Sequence, residues 1–468
     1  MMKRFLALLL LVLAVVDSAQ AAPKNIVLFV TDDQGQDAGC YGNPKLKTPH
    51  LDALAADAVR FDNAFCTTAS CSASRSVILT GMQNHANAQY GHEHVYHHFR
   101  AYDDVESLPV MLQRGGYRTG RVGKLHVGPP EVFHFQQTFK ADARNPVAMA
   151  DACREFIAKE SERPFFLYFC TADPHRGGGK VTTDPYKPDA FGNKPGGYAG
   201  IDEVIYKPED VIVPPFLPDT PACRAELAQY YQSVSRIDQG LGRLIALLKE
   251  AGRYDDTLIV YIADHGIAFP GAKTNLYDPG MRAPCLVRNP YEAKRGFASR
   301  EMVSWVDLTP TLLAFAGAKP KVDRLQGRSF LPALAGPDVA EVDEVFASHT
   351  FHEITMYYPM RVVRTRTHKL IWNVASPLPF PFASDLWASP AWQDRYAQGP
   401  TTLYGKRTVA AYIQRPKFEL YDLVVDPDES KNLADDPQHA GLLKELQTKI
   451  RDFQKRTKDP WISKWEYE

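Results

Sequence analysis

Residues 25–33 read "NIVLFVTDD". A continuous apolar run of strand length, without polar alternation, fits a strand covered on both faces, and such strands belong to largely parallel sheets. The run ends at the carboxylate pair Asp32-Asp33. Two later stretches repeat the pattern: "FFLYFC" at 165–170 leads into Asp173-Pro174-His175, and "TLIVYIA" at 257–263 leads into Asp264-His265-Gly266. Ligands of open parallel sheets bind beyond the carboxyl ends of the strands. One Asp after a strand is ordinary turn chemistry; three strand ends, two of them carrying Asp-Asp or Asp-His, point to a site.

The intervening segments read as helices. "TPHLDALAADAVRF" offers Thr48 as N-cap and Pro49 at the first helical position. Leu227, Tyr230, Val234, Ile237, Leu241, Leu244 and Leu248 alternate steps of three and four, the spacing of a long amphipathic helix. The stretch 176–220, rich in Gly, Pro and Asp, is a long loop of the kind that is usually functional or partly disordered. From about Val345 the character changes. "MRVVRTRTHKLIW" reads as a strand, "PLPFPFASDLWASP" follows, and the chain closes on the helical pattern "AGLLKELQTKIRDFQKRT". The expected fold is therefore α/β, a mostly parallel sheet sandwiched by helices, with a smaller C-terminal α+β subdomain. Its expected division is a leader at 1–21, a catalytic unit at 22–344 and the subdomain at 345–468.

The 54 basic and 55 acidic residues nearly cancel, so nothing in the charge balance argues for nucleic acid. Lys3 and Arg4, the apolar run at 5–16 and Ala19-Gln20-Ala21 form a secretory signal pattern, and the apolar part is too short for a membrane span. The expected location is secreted or periplasmic, where cysteines tend to pair. Seven are present, so an odd one is left over as a candidate reactive or modified thiol.

Asp32, Asp33 and Asp264 supply three hard oxygen ligands of the type calcium or magnesium takes. "GKLHVG" sets Lys124 and His126 two apart, on one face if the segment is extended. "CSASRSVILTG", residues 71–81, packs Cys71, Arg75 and three serines before an apolar run. A buried cysteine at a serine-rich helix start is the bland account of that stretch. The run nevertheless resembles the signature of type I sulfatases of the alkaline phosphatase superfamily, C/S-x-P-S-R with a short apolar run and T-G, with Ala73 where Pro is usual.

That resemblance covers essentially the whole mature chain. It implies an alkaline-phosphatase-like fold, with Cys71 oxidised to formylglycine by a maturation enzyme and a calcium ion held by Asp32, Asp33, Asp264 and His265. It further implies that Arg75 holds the formylglycine, that Lys124 and Lys273 bind sulfate oxygens, and that His126 and His175 move protons. "YGHEHVYHHF", "GKLHVGP", "DPHR", "FPGAKTNLYDPG", "HEITMYYPMR" and "PFPFASDLWASP" are similar to stretches of the sulfamidase branch of that family. The implied activity is hydrolysis of the N-sulfate of glucosamine in heparin- or heparan-type glycans. The implied partner is a sulfated glycosaminoglycan oligosaccharide or monosaccharide, with His98, His352 and Glu353 on the sugar; a homodimer is left open. Two alternatives stand beside it. One keeps the fold as a glycan or aryl O-sulfatase, or a phosphonate or phosphodiester hydrolase. The other is a secreted glycan binder with a dead site, for which Ala73 is the best support.

Overall fold

Strand β1 (Asn25–Thr31) lies inside an eight-stranded sheet and every one of its residues is buried. Its companions are β2 (Val59–Phe65), β3 (Arg118–Gly123), β4 (Gln137–Phe139), β5 (Phe165–Cys170), β6 (Thr257–Ala263), β7 (Cys285–Arg288) and β8 (Phe297–Ser304). The order across the sheet is β8-β2-β7-β6-β1-β5-β3-β4. Only β7 runs antiparallel to its neighbours. The computed structural model describes residues 24–177, 190–339 and 341–467. The leader assigned to 1–21, and part of the long loop, lie outside the described residues.

The absence of alternation in β1 has a direct cause, since each face of the strand meets its own helical layer. Ile26, Leu28 and Val30 share one apolar cluster with Val77, Ile78 and Leu79 of α2 (Cys71–Thr80) and with Leu308 and Leu312 of α4 (Leu308–Ala316). Val27 and Phe29 share another with Leu51 and Leu54 of α1 (Pro49–Ala56) and with Ile237, Leu241 and Leu244 of α3 (Pro221–Glu250). Helix α3 starts before the apolar spacing does, because the Thr220 hydroxyl accepts from the Cys223 N–H at 3.2 Å and Pro221 occupies the first turn.

A second, four-stranded antiparallel sheet follows in the order β9 (Glu344–His349), β10 (Met360–Thr365), β11 (His368–Asn373), β12 (Phe418–Asp422). The stretch expected as one strand is a hairpin, reversing at Arg366-Thr367 between β10 and β11. One face packs Val363, Leu370 and Trp372 on Leu446 and Ile450 of α5 (Ala440–Thr457). The other face sends Ala347, Val362 and Ile371 into the cluster under the large sheet. All seven cysteines are unpaired, and six of them are buried. Among the described residues no helix is long and apolar enough to cross a membrane.

The end of α5 is fastened to β10 by a fully buried ion pair. Arg361 Nη2 donates to Asp459 Oδ1 at 2.9 Å, and Asp459 also accepts from Gln454 Nε2 at 2.9 Å and from the Trp461 N–H at 3.0 Å. Burial would raise the Asp459 carboxyl, but Arg361 holds it well below the usual range. Asp459→Ala strands a buried guanidinium and is expected to cost about 3–5 kcal/mol, read from denaturant unfolding. Because the native carboxyl is the stronger acid, this stabilisation is complete above about pH 4 and is lost as pH falls below it.

Candidate active site

Strand register carries the acidic residues to one rim. Thr31 pairs with Ala263 and Val30 with Cys170, so Asp32-Asp33 lies between Asp264-His265 and the segment ending at His175. Gly123 also pairs with Cys170, which sets Lys124 one strand further along. The ladder persists past the strand ends: Asp264 N–H donates to the Thr31 carbonyl at 3.0 Å and Lys124 N–H to the Cys170 carbonyl at 2.9 Å. Only glycine fits at 123, where φ is +80° and a Cβ would stand 1.9 Å from the Cys170 oxygen. Asp33, His126 and Thr274 hold φ values of 62°, 59° and 63°. Such strain costs about 1–3 kcal/mol per residue and gathers at functional sites.

Helix α2 aims its first residue into this rim. Cys71 Sγ lies 3.3 Å from His265 Nε2 and 3.6 Å from Asp33 Oδ1. The N-cap hydroxyl of Ser70 is turned away, pairing with His352 Nδ1 at 3.0 Å, so it does not satisfy the first-turn N–H groups of α2. Those donors and the helix dipole favour an anion at Cys71. One turn on, Arg75 Nε donates to Asp264 at 2.9 Å and Nη2 to Asp32 at 3.1 Å. The guanidinium thus braces two carboxylates. Trp305 Nε1 and the Ser74 hydroxyl both donate to the Asp264 carbonyl, at 3.0 and 2.5 Å, and fix that corner.

Two lysines complete the rim. Lys124 Nζ meets Asp32 at 2.5 Å, and the fully buried Lys273 Nζ donates to Asp33 Oδ2 at 3.0 Å, Asp385 Oδ2 at 3.0 Å and His175 Nε2 at 2.9 Å. Asp173 is not part of this set, since Arg144 and Arg236 take its carboxylate at 2.6 and 2.7 Å. Burial opposes ionisation of Asp32, yet Lys124 and Arg75 hold it well below the usual carboxylate range. Lys273 does the same for Asp33. Asp264 is pushed up to about 6, by burial first, with Asp32 and Asp33 adding to it against Arg75 and His265. His265 moves the other way: burial disfavours its charge, but Asp264 and Asp33 raise it well above the ordinary value.

The rim therefore holds more negative charge than its fixed cations neutralise. Ligand atoms of Asp33, Cys71, Asp264 and His265 lie within 4.8 Å of one another, and those of Asp32, Asp33 and His175 form an overlapping group. Asp32, Asp33 and Asp264 place two carboxylates in each set, so the residues present fit a hard divalent cation.

The remaining expected residues separate. Lys124 and His126 do not share an extended face, because the left-handed turn at His126 sends its ring toward His94, Nε2 to Nδ1 at 2.7 Å. His352 is buried behind Ser70 and also touches His92, Nε2 to Nε2 at 2.9 Å. Glu353 accepts from the Ser384 N–H at 3.0 Å and hydroxyl at 2.8 Å, and so holds the turn that presents Asp385. His98 sits on an exposed hairpin with its Nδ1 4.0 Å from Glu93. Asp385 was missed by sequence reasoning, because a lone Asp in a proline-aromatic stretch gives no signal.

Comparison with known proteins agrees with this geometry. Residues 24–318 match the Sulfatase family, and residues 269–380 match the family described as N-sulphoglucosamine sulphohydrolase, C-terminal. The chain is 41% identical over 473 residues to the human N-sulphoglucosamine sulphohydrolase, covering 96% of this chain and 93% of that protein. Among solved structures, one described as a complex with its substrate D-glucosamine-2-N,6-O-disulfate superposes with TM-score 0.68 at 20% identity, over 94% of this chain and 99% of the other. The phosphonate monoester hydrolase of Agrobacterium radiobacter gives TM-score 0.66 at 18% identity, over 93% and 96%. The last two show the alkaline-phosphatase-like fold alone. The identity along nearly both full lengths, with a family match over more than half the residues, shows that this chain belongs to the sulfatase family of hydrolases.

Proposed function

We propose that the chain hydrolyses the sulfamate of a 2-sulfamido-glucosamine, releasing sulfate and the free amine, on heparin- or heparan-type oligosaccharides or monosaccharides. The observation that carries this reading is the 41% identity to the human N-sulphoglucosamine sulphohydrolase over 93% of its length. Cys71 is the formylglycine precursor, and its conversion needs a maturation enzyme that accepts Ala73. The hydrated aldehyde supplies a nucleophilic oxygen, and a calcium ion at Asp32, Asp33, Asp264 and His265 supplies positive charge beside it.

The chain's own side chains do the rest. Lys124 and Lys273, at opposite ends of the carboxylate pair, bind the sulfuryl oxygens and stabilise the charge that builds there. Arg75 fixes the directions of Asp32 and Asp264. His175 stands beside Lys273 with its Nδ1–H on the Arg176 carbonyl at 2.6 Å; its Nε2 accepts from Lys273 at 2.9 Å and is the atom that takes up a proton and passes it to the leaving nitrogen. His126 is the base on the Lys124 side. The unit at 22–344 supplies this chemistry, and the unit at 345–468 supplies the sugar wall through Glu353 and Asp385. The basic-apolar-small pattern at 1–21 supports export to the periplasm or the medium.

The test pairs two substrates on matured enzyme, N-sulfoglucosamine and 6-O-sulfated N-acetylglucosamine. Preference for the N-sulfate by about 100-fold or more in kcat/KM is expected, since a site built to serve a leaving nitrogen loses its proton contact with an ester. Preference for the ester makes the chain an O-sulfatase. Turnover of neither returns it to a binding protein.

A further inference from the structure

Beside the carboxylate rim lies a second group of potential ligands with a different chemistry. The hairpin pairing Glu93-His94 with His97-His98 folds over the segment that follows β3. It brings three imidazoles together: ring centroids of His92 and His126 are 4.8 Å apart, those of His94 and His126 also 4.8 Å, and those of His92 and His94 4.9 Å. One ring nitrogen from each lies within 4.8 Å of the other two. His94 Nδ1 and His126 Nε2 are only 2.7 Å apart, a contact in which a single proton serves two nitrogens. No carboxylate belongs to this group.

We infer that His92, His94 and His126 form a second metal site, for a borderline divalent cation of the zinc class, distinct from the carboxylate rim. Zinc sits about 2.0–2.1 Å from imidazole nitrogen, so three ligands of a tetrahedron need nitrogens about 3.3 Å apart. The His94–His126 pair must open slightly, a movement available to His94 on its exposed hairpin, and His94 and His126 must close on the buried His92. Three imidazoles with a free fourth position are a zinc-type set, whereas oxygen-loving calcium has nothing to gain there. Burial, with Lys124 and other cations nearby, keeps His92 and His126 neutral, so each ring has a lone pair to give; an ion would take the place of the contacts that His92 Nε2 now makes with His352 and His126 Nε2 with His94.

Occupancy has a consequence for turnover that rests on the assignment of His126 as a proton-transfer base. A cation on its ring nitrogen takes the lone pair that would accept the proton, so zinc-class ions inhibit without entering the calcium site.

The test uses the full mature chain in excess calcium, titrated with zinc chloride by calorimetry. One zinc per chain is expected, not displaced by calcium. His94→Ala should weaken it roughly ten-fold or more, and His92→Gln likewise. The exposed position of His94 on the hairpin keeps the first variant folded, which a thermal melt checks. Cobalt chloride in place of zinc should give visible absorption bands of a nitrogen-ligated ion, lost in His94→Ala. In the parent enzyme the zinc midpoint for inhibition should equal the calorimetric Kd. No binding, displacement by calcium, or unchanged affinity in both variants overturns the site; binding without inhibition overturns its effect on turnover. Calorimetry needs no turnover, so failure of the sulfamate reading leaves this test intact.

Discussion

Cys71→Ala is expected to fold as the parent does and to lose activity by a factor on the order of 10⁵ or more, as removal of a nucleophile does. The thiol is fully buried, and its loss leaves a void no larger than one sulfur, worth about 1 kcal/mol of stability. The chemistry lost is far greater. Burial, with Asp33 and Asp32 nearby, pushes the Cys71 thiol up against the opposing pull of Lys124 and Lys273. An unmodified cysteine here stays a neutral thiol, the unreactive form. In the proposed reading the position works only after oxidation to an aldehyde, whose hydrate needs no thiolate. Steady-state assay and thermal melt of the variant, with the mass of the native peptide carrying residue 71, check this together. A variant that melts much earlier while keeping its turnover would make Cys71 a packing residue.

Much of this was legible because it depends on period and position along the chain. The buried strands at 25–31, 165–170 and 257–263 announce themselves by apolar runs, and their carboxyl-terminal acids are brought together by parallel register, which is generic to such sheets. Less visible is how each acid is spent. Asp32 and Asp173 both follow a strand, yet Arg144 and Arg236 claim only the second. Those partners come from segments whose placement no local pattern reveals. The same holds for Asp385, which reaches Lys273 only because Glu353 holds the turn at Ser384. The Lys124/His126 pairing failed for a local reason. A spacing of two implies one face only in extended backbone, and His126 is left-handed. The motif also said nothing of the two carboxylates that Arg75 pairs with in this buried, charged pit.

The charge pattern of the pit suits the sulfuryl chemistry of the sulfatase family. Asp32, Asp33, Asp264 and Asp385 face Arg75, Lys124 and Lys273, and each lysine is tied to a carboxylate on the rim. The lysines are therefore positioned before an anion arrives, and no reorganisation is needed when charge moves onto the sulfuryl oxygens. The carboxylates of this rim suit a metal cation, and the α2 amino terminus and the lysines suit an anion.

His175→Ala is expected to slow N-sulfoglucosamine by about 10³-fold in kcat, with an aryl sulfate slowed by less than about ten-fold. An amine anion is a very poor leaving group, so cleavage of the N–S bond must be accompanied by protonation of nitrogen. A phenolate departs without help. In the proposed reading His175 relays that proton: its Nδ1–H is anchored on the Arg176 carbonyl at 2.6 Å, its Nε2, which accepts from Lys273 at 2.9 Å, takes up a proton before passing it on, and its ring remains partly open to the outside. Burial and Lys273 lower its basicity, while Asp33 and Asp385, at 3.8 and 4.0 Å, draw a proton back. Such opposed influences keep an imidazole able to give its proton away. Since Lys273 retains its bonds to Asp33 and Asp385 in the variant, binding of the sulfuryl group should persist and KM should change little. The measurement is kcat and KM for both substrates on matured parent and variant. Equal losses on the two substrates would show that His175 binds sulfuryl oxygen, and the proton would then have to come from another group on the rim.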